Sequence, residues 1–171
     1  MLKGPHVELP AMLSWRESRV LLQKNFIEKH HLPLLSFTLN IPGPVKTNEE
    51  LLRLFKDGLK AIVLELQNIN IDIIEQEERH ADTGDECLMA LQGEAALIKE
   101  KMTALEESHP LGRLFDIDVL DAEGRKLSRP QPRRCLICGE QAQACARSRR
   151  HSVEELTTKI AEMLKHCKTL S

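Results

Sequence analysis

Asp116 and Asp118 stand two residues apart in an otherwise apolar run, Leu114 to Leu120. In an extended chain successive side chains alternate, so Leu114, Asp116, Asp118 and Leu120 share one face and Phe115, Ile117 and Val119 the other. Two residues of strand rise separate the carboxylates by roughly 6.6 Å at the backbone, close enough for their ends to converge on one cation. Two negative charges side by side in an apolar strand are unfavourable unless something positive joins them. Mg2+ suits the position, because it takes a few carboxylates and completes its shell with water and phosphate oxygens. The pair therefore points to chemistry on phosphates; the bland alternative is an edge strand with a solvated polar face. Arg113 adjoins the pair, but on the opposite face unless the strand begins after it.

A second segment, Ile41-Pro42-Gly43-Pro44-Val45-Lys46, cannot continue a strand, because two of its residues lack the N–H that a sheet needs. It reads as a fixed loop between a strand and a helix. Lys46 at the helix entrance, Gly43 allowing close approach and Asn40 at the strand end form a candidate phosphate seat. An ordinary strand-to-helix turn explains the same spacing.

The third segment, residues 133–151, is short-range and irregular. Cys135, Cys138, Cys145 and His151 have the spacing C-x2-C-x6-C-x5-H, three thiolates and an imidazole suited to a structural tetrahedral Zn2+. The alternative is small cysteines packed in a reduced core. Arg134, Arg147, Arg149 and Arg150 flank them and are candidates for bidentate phosphate contacts; a solvated basic face is the alternative.

The elements that must position these residues follow from hydrophobic period and breakers. Residues 10–30 read as a helix opened by Pro10, with a stripe of Leu13, Val20, Phe26 and Ile27. Residues 34–40 read as a buried strand. The next helix starts at Thr47, where Thr47 and Glu50 have capping-box spacing, and buries Leu51, Phe55, Leu59, Ile62 and Leu66. Residues 71–80 and 86–91 read as a hairpin turning at Thr83-Gly84-Asp85. A helix follows over 94–108 with Ile98, Met102 and Leu105 inward, then the strand GRLFDIDVL within 111–121. The last helix opens on the capping box Ser152 and Glu155, with a face of Leu156, Ile160, Met163 and Cys167. This order predicts one α+β domain over residues 1–171. It has a mixed sheet of about four strands covered by helices, with a nucleotidyltransferase-like active site on one sheet face.

Composition narrows the function classes. The chain has 171 residues, a formal charge of −2 and 3% aromatic residues, with a pI near 6.4. A protein built to bind nucleic acid is expected to be more basic, with more rings for stacking. There is no apolar run of transmembrane length and no export signal at the N-terminus, and five cysteines is an odd number. A reduced, cytoplasmic protein with no membrane partner is expected.

Taken together, NIPGPVK (residues 40–46), HPLGRLFDIDVLD (109–121) and RRCLICGEQAQACARSRRH (133–151) resemble one family. It is the apo-citrate lyase phosphoribosyl-dephospho-CoA transferase family. The likeness extends over nearly the whole chain, and Thr83-Gly84 matches too. The resemblance implies a donor, 2′-(5″-triphosphoribosyl)-3′-dephospho-CoA, and an acceptor serine on the acyl carrier subunit of citrate lyase. It implies that the serine oxygen attacks the phosphorus at the ribosyl 5″ oxygen and that diphosphate leaves. Asp116 and Asp118 are then expected to hold Mg2+. Asn40, Gly43, Lys46, Arg113, Arg134, Arg147, Arg149 and Arg150 are expected to bind the donor.

Two other readings compete. A zinc deaminase is suggested by His6-Val7-Glu8 and by Pro132 before Cys135-x-x-Cys138, but the proline is not adjacent to Cys135 and His6 lies outside any expected helix. A non-catalytic, zinc-stapled docking module for the citrate lyase complex would not depend on the Asp pair, which distinguishes it from the transferase.

Overall fold

The computed structural model describes residues 2–168, with Cys167 and Lys168 through their backbone alone. The expected contribution of Cys167 to the last helix face thus lies outside the described residues. The elements run α1 (Leu9–His30), β1 (Leu34–Leu39), α2 (Glu49–Asn68), β2 (Asp72–Ala81), β3 (Gly84–Gln92), α3 (Ala95–Ser108), a 3₁₀ turn (Gly112–Leu114), β4 (Phe115–Leu120), α4 (Ala142–Arg147) and α5 (Val153–Lys168).

The four strands form one sheet in the order β2-β3-β1-β4, and every neighbouring pair is antiparallel. This corrects the expected mixed sheet. The two helical connections, α2 between β1 and β2 and α3 between β3 and β4, do join parallel strands. Each skips one strand, however, so its parallel partners are never neighbours. β3 and β1 take the interior places and pair with everything around them.

Alternation along the strands separates two apolar layers. Leu35 and Phe37 of β1, Cys87, Met89 and Leu91 of β3, and Phe115, Ile117 and Val119 of β4 face α2 and α3. Onto them α2 lays Leu51, Phe55, Ile62 and Leu66, all fully buried, each burial contributing about 1.5–3 kcal/mol. Phe37 stacks on Phe55 at 5.0 Å between centroids and meets Phe115 edge-on at 5.5 Å. Gly58 of α2 sits over those rings: a Cβ there would lie 2.7 Å from Phe37 Cζ and 2.9 Å from Phe115 Cε1.

The other sheet face carries α1, through Phe26 packed on Leu34, Leu88, Ala90 and Leu120. The expected stripe is only half right, since Leu13 and Val20 are exposed. A polar clamp holds α1 instead. Buried Glu86 accepts from Arg19 Nε at 2.5 Å and from Arg79 Nε at 2.6 Å, and the Arg79 guanidinium lies 4.4 Å from the centre of the Trp15 ring. No helix among the described residues is long and apolar enough to cross a membrane.

The α2 cap differs from the expected one. Asn48 is the N-cap, its side chain accepting from Leu51 N–H at 2.8 Å. Thr47 Oγ1 instead donates to Asp85 at 2.9 Å. The Ser152–Glu155 box of α5 is present in both directions, Glu155 N–H to Ser152 Oγ at 3.1 Å and Ser152 N–H to Glu155 Oε2 at 2.7 Å.

Candidate active site

β4 begins at Phe115, after the 3₁₀ turn, so Arg113 belongs to that turn and not to the strand. Asp116 and Asp118 fall on the α1 side of the sheet, opposite Thr38 and Ser36 of β1. Their side chains are 43% and 26% exposed. The positive partners are protein groups. Lys126 Nζ donates to Asp118 Oδ2 at 2.6 Å, and Arg133 Nη2 lies 3.3 Å from Asp116 Oδ1.

Neither basic residue was singled out in the sequence. Lys126 is returned beside the strand by a turn in which Asp121 accepts from the N–H groups of Glu123 and Arg125, and a bridge pairs Leu120 with Lys126. Arg133 is held from below by Glu106 of α3, to which it also hydrogen-bonds. Glu106 accepts from Ile117 N–H at 2.8 Å, and burial raises its pKa against the pull of Arg133, that hydrogen bond and Arg129. Beside it, Lys99 Nζ donates to Ile117 O at 3.0 Å. A buried ion network thus supports the strand from beneath while its upper face stays open.

Two cavities meet at Asp116. The smaller, of about 140 Å3, lies toward α1 and brings Asp116 together with Asn40, Lys46 and Arg16. Burial, and next the charge of Arg16, lowers the Lys46 pKa, so two cations crowd one space. Lys46 Nζ donates to Ile41 O at 2.7 Å, which aims it. At the α2 N-terminus Asn48 and the first-turn acids Glu49 and Glu50 already occupy the free end, so the helix terminus adds little to Lys46 as an anion contact. Gly43, at φ 83°, does not face an open space either. A Cβ there would meet Val153 Cγ1 at 2.9 Å, so this glycine admits α5 against the loop. The larger cavity, about 760 Å3, is lined by both aspartates with Lys126, Arg133, Asn40 and Gln141.

The Cys/Arg segment is more ordered than its sequence indicates. Arg134 and Gln141 form a bridge around a turn with Gly139 at φ 74°, and Ile137 N–H points to Cys135 Sγ at 3.5 Å. α4 then carries Cys145, and His151 precedes the α5 cap. The ligand atoms of Cys135, Cys138, Cys145 and His151 all lie within 4.8 Å of one another, a group that could hold a metal such as zinc. His151 Nε2 is buried with no hydrogen-bond partner. An orphaned imidazole nitrogen beside three thiols fits a metal better than plain packing does.

Of the arginines, Arg113, Arg134 and Arg149 line a third cavity between this segment and Pro42. Arg113 is half-buried there, whereas Arg134 and Arg149 are exposed, as are Arg147 and Arg150, which line none of the three cavities.

A family model described as apo-citrate lyase phosphoribosyl-dephospho-CoA transferase matches residues 7–167. A Vibrio cholerae serotype O1 (strain M66-2) protein named "Probable apo-citrate lyase phosphoribosyl-dephospho-CoA transferase" is 41% identical over 92% of this chain and 91% of its own. One from Shigella boydii serotype 18, named "Apo-citrate lyase phosphoribosyl-dephospho-CoA transferase", is 37% identical over 92% of this chain and 88% of its own. "Protein CitXG" of Haemophilus influenzae is 38% identical over 94% of this chain but 36% of its own length.

Proposed function

Since the chain belongs to the apo-citrate lyase phosphoribosyl-dephospho-CoA transferase family, we propose that it moves the phosphoribosyl-dephospho-CoA group from its triphosphate-activated form onto a serine of the citrate lyase acyl carrier subunit. The serine oxygen forms a bond to the phosphorus on the ribosyl 5″ oxygen. The bond from that phosphorus to the outer two phosphates breaks, diphosphate leaves, and the serine proton passes to a carboxylate of the Asp116–Asp118 pair.

The observation that carries this reading is the meeting of two cavities at Asp116, one crowded with cations and one open to solvent along both carboxylates. Phosphoryl chemistry of this kind depends on alignment and on neutralising spread charge, and needs no protein nucleophile. Lys46 and Arg16, two cations in the confined cavity, receive the outer phosphates, and Asn40 hydrogen-bonds the donor where the cavities join. The acceptor serine enters through the wider cavity. Arg133 and Lys126 keep the two carboxylates fixed and their charge balanced in the resting protein.

Two carboxylates on one strand face suit Mg2+, which binds through one or two such groups and substrate phosphates. Asp116 and Asp118 would hold it, and when bound it neutralises phosphate charge. Cys135, Cys138, Cys145 and His151 would hold Zn2+ in a structural role, since four protein ligands leave no open position.

The test incubates purified protein, apo carrier, triphosphoribosyl-dephospho-CoA and Mg2+, and follows the carrier by mass. A gain equal to the phosphoribosyl-dephospho-CoA group is expected. It should vanish in Asp116→Asn and Asp118→Asn proteins with unchanged circular dichroism. Near-full activity in either variant would refute the metal pair, whereas a parent protein that leaves the carrier's mass unchanged would favour a docking role.

A further inference from the structure

The third cavity differs from the two at Asp116. Its volume is about 600 Å3, inside the roughly 300–1,000 Å3 of small-molecule sites. Pro42, Leu136, Val153 and Leu156 give it an apolar floor, Cys135, Cys145 and His151 of the candidate metal group form one wall, and Arg113, Arg134 and Arg149 stand at its sides, with no carboxylate in the lining. The cavities at Asp116 contain both signs. None of the three guanidinium groups has a hydrogen-bond or ion-pair partner among the described residues, and burial, then Arg133 and Arg129, depress the pKa of Arg113. Unpaired cations beside apolar surface fit a ligand that is an anion at one end and a flat apolar body at the other.

Arg149 follows the C-cap of α4, with Arg150 N–H closing on Cys145 O at 3.1 Å. It sits at φ 48°, a left-handed conformation that glycine adopts freely and a side-chain-bearing residue holds at a cost. The cavity also shares Asn40, Ala142 and Ala146 with the one that holds Asp116 and Asp118, so one extended ligand can occupy both.

Resting on the transferase reading, we propose that this cavity binds the adenosine diphosphate portion of the donor. The purine lies on Pro42, Leu136 and Leu156, the 5′-diphosphate lies among Arg113, Arg134 and Arg149, and the phosphorylated ribose runs past Asn40 to Asp116. The uncharged pantetheine arm would leave three cations unmatched and is assigned to solvent.

Calorimetric titration of the zinc-loaded chain with dephospho-CoA, ADP and pantetheine tests this. Dephospho-CoA and ADP should bind and pantetheine should not. Arg149→Gly and Arg134→Ala should each weaken dephospho-CoA by about ten- to a hundred-fold, the range for a lost charge-assisted hydrogen bond. Arg149→Gly should keep its zinc and melt no lower than the parent, since glycine relieves the backbone. Wild-type affinity in both variants, or pantetheine binding without ADP binding, overturns the proposal. A parent chain that modifies the carrier yet binds no ADP overturns this placement alone, whereas one that never modifies the carrier overturns the transferase reading.

Discussion

Replacing Gly58 by alanine sets two effects of known size against each other. In mid-helix, glycine to alanine should stabilise by about 1 kcal/mol. The new methyl, however, would sit 2.7 Å from Phe37 Cζ, 2.9 Å from Phe115 Cε1 and 3.0 Å from Phe115 Cζ, inside the closest approach that carbon atoms tolerate. Neither ring can retreat, since both are fully buried and Phe37 is already stacked on Phe55. Overpacking of this kind costs about 1–3 kcal/mol, and contact with two locked rings argues for the upper end. The net is a loss of about 2 kcal/mol, which for a domain of this size is a fall in Tm of roughly 4–8 °C. Phe115 immediately precedes Asp116, so its shift carries into the carboxylate, and transfer should slow by about ten-fold or more. Thermal melts by circular dichroism and carrier mass-gain rates measure the two. A Tm equal to or above the parent's would refute the packing argument.

Lys46→Met should weaken donor binding by about ten- to a hundred-fold, read by titration with the full donor. Burial beside Arg16 holds the folded pKa of Lys46 below its unfolded value. Its charge therefore opposes folding below both values, and stability recovers only as pH rises between them. The unliganded variant should consequently melt higher at neutral pH, and a lower Tm would count against crowded cations. Cys138→Ser should lose bound zinc and become protease-sensitive near residues 147–150, with zinc close to one per chain in the parent by elemental analysis. Parent protein with far less zinc and full activity would leave the cysteines as packing residues.

Local patterns carried much of this structure. The period-two alternation of residues 114–120 placed the two aspartates on one face because it needs only the strand itself. The α2 face and the Ser152–Glu155 cap were legible for the same reason. Strand order was not, because which parallel pair is separated by a third strand is decided by packing across the whole sheet. Thr47 and Asn48 both suit a helix entrance, and only the position of Asp85, a long way along the chain, draws Thr47 away. Val20 reads as core by period, yet the Glu86 clamp, built from three elements, sets how α1 lies. Lys126 and Arg133 escaped notice because they reach the carboxylates by tertiary folding, at spacings that match no local motif. The cysteine spacing, by contrast, was readable as a ligand set, and the unpartnered nitrogen of His151 is the detail that only coordinates supply.

The order of parts along the chain has a consequence for how the protein matures. All four strands and the aspartates are complete by Leu120, whereas Arg133, Arg134, Arg149 and the four residues of the candidate metal group follow. Domains are synthesised from the N-terminus at about 5–20 residues per second, so the sheet emerges from the ribosome about 1–6 s before the segment that faces it. With zinc in that group, as proposed above, the free energy of metal capture falls in that late segment. A cell short of zinc would then accumulate a folded sheet with its carboxylates in place and no basic wall opposite them. Supply of the metal would govern how many molecules can work, leaving how many are folded almost untouched.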